Sequence, residues 1–280
     1  MQKLFDVMAH FQVEGNLVSV EPYGSGHINV TYLAVTDKKR YILQKINNNL
    51  FTNVDKLMNN IYLVTEHVRK KCPDKTTLTL VKTTEDKPYL VLNGEYYRVY
   101  DFIENSVCLQ IPRNTQEFYE SAVSFGEFAN DLCDFDATQL YEILPNFHNT
   151  VVRFKNFEVA LEKNLSNRAH MAQDEINFAL ARKGITNKIV SLIESGEMPL
   201  KVTHNDTKLN NVLLHHETLK GLAVIDLDTV MPGSVCYDFG DSIRFGCNSS
   251  YEDEEDLTKV YFKMDMFEAY VKGYLSSMSD

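Results

Sequence analysis

The hydrophobic period of this chain changes near residue 102, and that change narrows the folds open to it. Up to Phe102 the apolar residues mostly alternate, which is the period of half-buried strands. Val18–Tyr23, Ile28–Thr36, Tyr41–Ile46, Thr77–Val81, Pro88–Leu92 and Glu95–Tyr100 each read as a strand. Asn93-Gly94 supplies the positive-φ pair of a tight hairpin between the last two. One helix interrupts them, with Val54, Leu57, Met58, Ile61, Val64 and Val68 at helical spacing. Beyond Glu104 the 3.6-residue period takes over. Phe118, Ala122, Phe125, Phe128 and Leu132 form one stripe, and Phe154, Phe157 and Leu161 a second. Ile176 to Ile193 is a third, broken at Gly184, and Leu257–Leu275 is the last. Short strands at Val202–His204, Val212–Leu214 and Leu222–Ile225 lie inside this helical half. The expectation is a bilobal α+β fold, a β-rich lobe over 1–103 joined to a mostly helical lobe over 104–280. A cleft between the lobes is a favoured place for a ligand.

Composition narrows the partners. The 39 acidic residues outnumber 28 basic ones, a net charge of −11 that repels nucleic-acid backbones and anionic membranes. Five cysteines, with no C-x-x-C pair among them, argue against a disulfide framework or a zinc ribbon. Reduced thiols fit a cytoplasmic protein. No run approaches the roughly 18 apolar residues of a membrane span. The opening segment carries Asp6 and His10 where a signal peptide needs an apolar centre. A general nucleic-acid binder and a membrane-spanning chain are therefore not expected.

The densest polar segment is His204-Asn205-Asp206-Thr207-Lys208-Leu209-Asn210-Asn211, followed by the apolar Val212-Leu213-Leu214. Further on, Asp226-Leu227-Asp228 closes the apolar pair Val224-Ile225. Both sites sit at ends of short strands, so pairing those strands brings Asp206, Asn211 and Asp226 together. Three hard oxygen donors suit Mg²⁺. Protein kinases place an acceptor-facing Asp and a metal-binding Asn in H-R-D-L-x-x-x-N. His204, Asp206 and Asn211 stand at those intervals, and Lys208 follows where a cation reaches the transferring phosphoryl. Asp226 takes the place of the first residue of D-F-G, but Leu227-Asp228 replaces Phe-Gly, which argues against a regulated protein kinase.

These segments, with Tyr237-Asp238-Phe239-Gly240-Asp241-Ser242-Ile243-Arg244, resemble the aminoglycoside phosphotransferase family, small-molecule kinases of protein-kinase-like architecture. The stretch from Val224 to Gly233, followed by Tyr237 to Asp241, is most similar in wording to bacterial N-acetylhexosamine 1-kinases. The resemblance implies ATP and Mg²⁺, with Asp226 and Asn211 on the metal, Asp206 facing the acceptor and Lys208 offsetting charge. It implies phosphorylation of the anomeric hydroxyl of N-acetylglucosamine or N-acetylgalactosamine. Kinases of this kind usually continue past the equivalent of Asp280, so a fragment or a shortened member is expected. Kinases for choline, homoserine or an aminoglycoside, and a nucleotide-binding pseudokinase-like module, are the alternatives.

In the β-rich lobe, Gly24-Ser25-Gly26 lies between two strands as a nucleotide-covering loop, followed by Asn29 and Tyr32. A phosphate-pairing cation is expected on the third strand, with a helix carboxylate as its partner. Lys45 and Glu66 fill these roles, although alternation puts Gln44 and Lys45 on opposite faces and the family pattern favours the Gln44 position. Tyr100-Asp101-Phe102-Ile103 reads as the hinge, with the backbone of Asp101 and Ile103 at adenine. Asp228 is either a second metal ligand or a turn-former. His204 reads as a structural residue, and Asp238 and Asp241 as a helix cap or as pins for the catalytic loop. Arg153 and Arg244 are candidates for sugar or phosphate binding, against the commoner exposed ion pair. His215-His216-Glu217 reads as a solvated loop, and Glu252–Asp256 as the first turn of the last helix.

Overall fold

The structure, a computed structural model, describes residues 2–24, 26 and 28–278. After a short helix α1 (Gln2–Met8) come β1 (Leu17–Pro22), β2 (Val30–Thr36) and β3 (Arg40–Ile46). Helix α2 (Val54–Lys71) follows, then β4 (Leu80–Val81), β5 (Leu90–Leu92) and β6 (Glu95–Asp101). The six strands form one antiparallel sheet in the order β1-β2-β3-β6-β4, with β5 also pairing β6. The β5–β6 turn has φ of 54° at Asn93 and 77° at Gly94, as its sequence demands.

Alternation divides the sheet into two apolar faces. Tyr41, Leu43, Tyr97 and Val99 pack against Val7, Met8 and Phe11 on the α1 side. Ile42, Ile46 and Tyr100 face the other way, toward Leu57, Met58, Ile61 and Val64 of α2. This second core continues into Val202, Leu227 and Val230 of the helical half. Buried Asn60 of α2 reinforces the junction, donating to Tyr141 O at 2.8 Å and Val230 O at 2.9 Å.

The second half contains β7 (Ser106–Cys108), α3 (Thr115–Asp131), α4 (Thr150–Lys163), α5 (Gln173–Leu180) and α6 (Lys188–Glu194). It continues through β8 (Lys201–Thr203), β9 (Val212–His215), β10 (Gly221–Val224), β11 (Met231–Gly233), α7 (Val235–Gly246) and α8 (Met264–Ser277). Strands β10-β9-β7 form one small sheet and β11-β8 another. Helices α3 and α8 pack closely at Gly273, where an added Cβ would lie 2.5 Å from Tyr119 O. The mixed α+β architecture matches the sequence expectation.

The stripes of α4 and α5 bury no residue, and Phe178 is 60% exposed. One local expectation needs correction. The acidic run 252–256 is not the first turn of the last helix. An antiparallel bridge between Asn248 and Phe262, with Lys263 N donating to Cys247 O at 2.8 Å, closes off the intervening chain, which holds one 3₁₀ turn at Leu257–Lys259, and the last helix starts only at Met264. Glu252 instead pairs with Arg244, while Glu254 and Asp256 meet Lys259.

Candidate active site

Asp206 stands on the loop between β8 and β9, and that loop is pinned from below by α7. Asp238, near the start of α7, accepts from His204 N at 2.8 Å and Asn205 N at 2.7 Å. Asp241 accepts from Thr207 N at 3.0 Å, and Ser242 Oγ donates to Thr207 O at 2.8 Å. These bonds hold the left-handed turn at Asn205, where φ is 65°. His204 is fully buried, with Nε2 2.9 Å from Ile225 O and its ring edge-on to Phe125 and Phe128. It is a structural residue, as its sequence context implied.

The Asp206 side chain is left partly open. Its Oδ1 lies 3.1 Å from Lys208 Nζ. Asn211 Nδ2 donates to Asp206 O at 2.8 Å and to Oδ2 at 3.1 Å, which leaves Asn211 Oδ1 as that side chain's remaining acceptor. Burial lowers the Lys208 ammonium pKa, but the Asp206 charge and hydrogen bond leave it raised on balance. A carboxylate and a cation thus stand side by side at an open position.

Burial pushes the Asp238 carboxyl up to about 6, with His204 and the two N–H bonds pulling the other way. Asp238→Ala strands two loop N–H groups, each costing about 1–3 kcal/mol when unpartnered. Urea unfolding should show a loss of about 2 kcal/mol or more. A loss under about 0.5 kcal/mol, the usual surface effect, would mean that the loop does not depend on this carboxylate.

Asp226 follows β10 in the left-handed conformation, with φ and ψ both 58°. Ile225 N donates to Asn211 O at 2.9 Å, so Asp226 emerges beside Asn211. Asp226 is exposed to solvent, although protein packs around its carboxyl densely enough to desolvate it. Burial and the Asp228 charge push its carboxyl up to about 7, against the opposing pull of Arg98. Asp226 and Asn211 thus offer a carboxylate and an amide oxygen from two loops joined by the Ile225–Asn211 backbone bond. This donor set fits Mg²⁺.

Asp228 does not share that opening, and its expected role as a second ligand is corrected. Its side chain is 5% exposed. Oδ2 accepts from Asn29 Nδ2 at 2.6 Å, and Oδ1 lies 2.5 Å from Arg98 Nη1. This contact ties Asn29, which follows the glycine segment in sequence, to the loop that carries Asp226. Gly24, with φ of 76°, and Gly26 have open space where a side chain would stand. Ser25 lies outside the described residues.

The expected Lys45–Glu66 pair is absent. Lys45 shares the Tyr41 and Leu43 face, where Nζ meets Glu95 at 2.7 Å. Glu66 pairs with Arg69 at 2.5 Å. Gln44 occupies the inward position and accepts from Arg98 Nε at 2.9 Å. Sequence reasoning missed Arg98. The signal available was its place between Tyr97 and Val99, on the same strand face as Tyr100. Asp101 meets Lys39 at 2.9 Å through its side chain, and Ile103 O accepts from Ser106 Oγ at 2.6 Å. Asp101 ends β6, and Ile103 lies on the connection from it to β7.

The two candidate acceptor-binding arginines have protein partners. Arg153 Nε donates to Phe147 O at 2.5 Å, and the guanidinium lies 5.4 Å from the Phe147 ring centre. Arg244 holds Asp241 at 2.8 Å and also pairs with Glu252, so it acts on the loop through Asp241. His215 and His216 stack beside an exposed turn, away from this constellation.

The profile of the phosphotransferase enzyme family, which includes aminoglycoside phosphotransferases, matches residues 19–258. Among solved structures, a microcompartment-associated aminopropanol kinase is similar over 100% of this chain and 81% of its own, at 14% identity and a TM-score of 0.62. An aminoglycoside phosphotransferase from Alicyclobacillus acidocaldarius is similar over 97% of this chain and 76% of its own, at 11% identity and a TM-score of 0.63. A spectinomycin phosphotransferase solved with ADP and spectinomycin covers 100% and 80% respectively, at 15% identity and a TM-score of 0.58. No helix among the described residues is long and apolar enough to cross a membrane.

Proposed function

The chain belongs to the phosphotransferase enzyme family, and we propose that it transfers the γ-phosphoryl group of ATP to the anomeric hydroxyl of an N-acetylhexosamine. The observation that carries this reading is the meeting of Asp206, Lys208 and Asn211 on a loop fixed by Asp238 and Asp241. In the reaction, the acceptor oxygen bonds to the γ-phosphorus as the bond to the β–γ bridging oxygen breaks and ADP leaves. Asp206 orients the acceptor hydroxyl and takes its proton. Lys208 offsets charge on the moving phosphoryl group, so catalysis rests on positioning and electrostatics.

Asp226 and Asn211 would hold Mg²⁺, which neutralises phosphate charge when bound. Gly24 and Gly26 leave room for phosphate beneath the turn, and the backbone at Asp101 and Ile103 would meet adenine. A carboxylate is a weak base and is best matched to an acidic hydroxyl. The hemiacetal hydroxyl at C1 is the most acidic on such a sugar, and the wording of residues 224–241 resembles that of sugar 1-kinases.

The test is a comparison of acceptors. N-acetylglucosamine or N-acetylgalactosamine should consume ATP and lose its reducing end, and the matching methyl glycoside should be inert. Turnover of the methyl glycoside at a comparable rate, with phosphorus NMR placing phosphate on another carbon, would refute the anomeric assignment. An aminopropanol, choline or aminoglycoside acceptor turning over in place of the sugars would leave a kinase with a different substrate.

A further inference from the structure

Kinases of this architecture keep a cation on the third strand and its partner acid on the neighbouring helix. Here β3 presents Gln44 inward, and the cation arrives from the next strand. Gln44 and Arg98 are direct partners in the β3–β6 pairing, and Arg98 Nε donates to Gln44 Oε1 at 2.9 Å. The Arg98 side chain is 1% exposed, with Nη1 2.5 Å from Asp228 Oδ1. Its guanidinium carbon lies 5.3 Å from the Tyr100 ring centre. On the α2 side Met58 Sδ lies 3.9 Å from Nη1, so the helix presents sulfur to this guanidinium.

We propose that Arg98 is the fixed cation of the nucleotide site, a positioning residue that replaces a β3 lysine, with Asp228 as its anchoring acid. The proposal rests on the Mg·ATP reading of the same site. A fully buried ion pair is a weak source of stability, because desolvating two charges is costly. Its value here is in placement. Through Asp228 and Asn29 it joins the metal-binding loop to the segment after the glycine turn, and through Gln44 it joins both to the sheet. Because the anchor is on the loop and not on α2, a shift of α2 would break no ion pair at this site.

The test is calorimetric titration with Mg·ATP, with urea unfolding run on the same samples, for wild type, Arg98→Met and Arg98→Met/Gln44→Lys. The second variant moves the cation across one rung onto β3. Arg98→Met is expected to weaken Mg·ATP binding by about tenfold or more, and the added lysine to recover most of that loss. If Arg98→Met does not fold, Arg98→Met/Asp228→Asn takes its place, since it removes both charges together. Weakened binding in that folded pair supports the proposal. Wild-type affinity in any folded variant lacking the inward cation, with only the unfolding midpoint moved, overturns it and leaves Arg98 purely structural. Failure of the wild-type chain to bind Mg·ATP would instead overturn the nucleotide reading.

Discussion

Asp206→Asn is expected to lower kcat by about 10²-fold or more while leaving Mg·ATP affinity nearly unchanged. The substitution keeps the volume of the side chain and the pinned backbone around it. Asn211 Nδ2 can still find an acceptor if the new amide turns its oxygen that way. The new NH₂ then faces Lys208 Nζ, which lies 3.1 Å from Asp206 Oδ1 in the native site. Two donors in opposition push Lys208 out of place, and no carboxylate remains to take the acceptor's proton. Both changes affect the transition state and not the nucleotide, so the loss falls on kcat. Steady-state kinetics in both substrates, with calorimetry for Mg·ATP, makes the measurement. A kcat within a few-fold of wild type, with a raised KM for the acceptor, would make Asp206 a binding residue.

The proposed catalytic constellation was legible because its spacing is local. Asp206, Lys208 and Asn211 lie on one loop, and Asp226 follows the strand that pairs with the one after that loop. The cation was not legible, because its position depends on the pairing of two strands whose residues are far apart in sequence. Lys45 carries a suitable charge on the predicted strand, but strand alternation gives the inward place to Gln44. Only the direct pairing of Gln44 with Arg98 puts a guanidinium there. Asp228 was ambiguous for the same reason, since its partners Asn29 and Arg98 both come from the other half of the chain. The apolar stripes of α4 and α5 predict helices, which the structure has, and those helices bury no residue. Periodicity reports that a face is apolar, and it does not report what covers it.

The second large effect is expected at Asp226, and the geometry allows it to be tested with one substitution. Asp228 is the nearest carboxylate that might compensate, but Arg98 and Asn29 engage its two oxygens and its side chain is closed to solvent. Asn is the better replacement than Ala, because Asp226 adopts φ and ψ of 58° and Asn tolerates the left-handed region. Asp226→Asn also removes one of two crowded carboxylates, the crowding that helps push the native group up to about 7. Folding stability should therefore be kept or raised while function is lost. The amide oxygen carries no full charge to match a divalent cation, so the gain in ATP affinity that Mg²⁺ confers should shrink by at least about 30-fold. Calorimetric titration of ATP with and without Mg²⁺, beside urea unfolding of the same samples, separates the two effects. Wild-type Mg·ATP affinity in a folded Asp226→Asn protein would remove Asp226 from the metal site. Loss of affinity together with loss of stability would assign the residue to the fold. Loss of affinity in a protein at least as stable as wild type is the outcome this geometry requires, because the strained, crowded carboxylate at Asp226 then serves nucleotide binding at the expense of the fold.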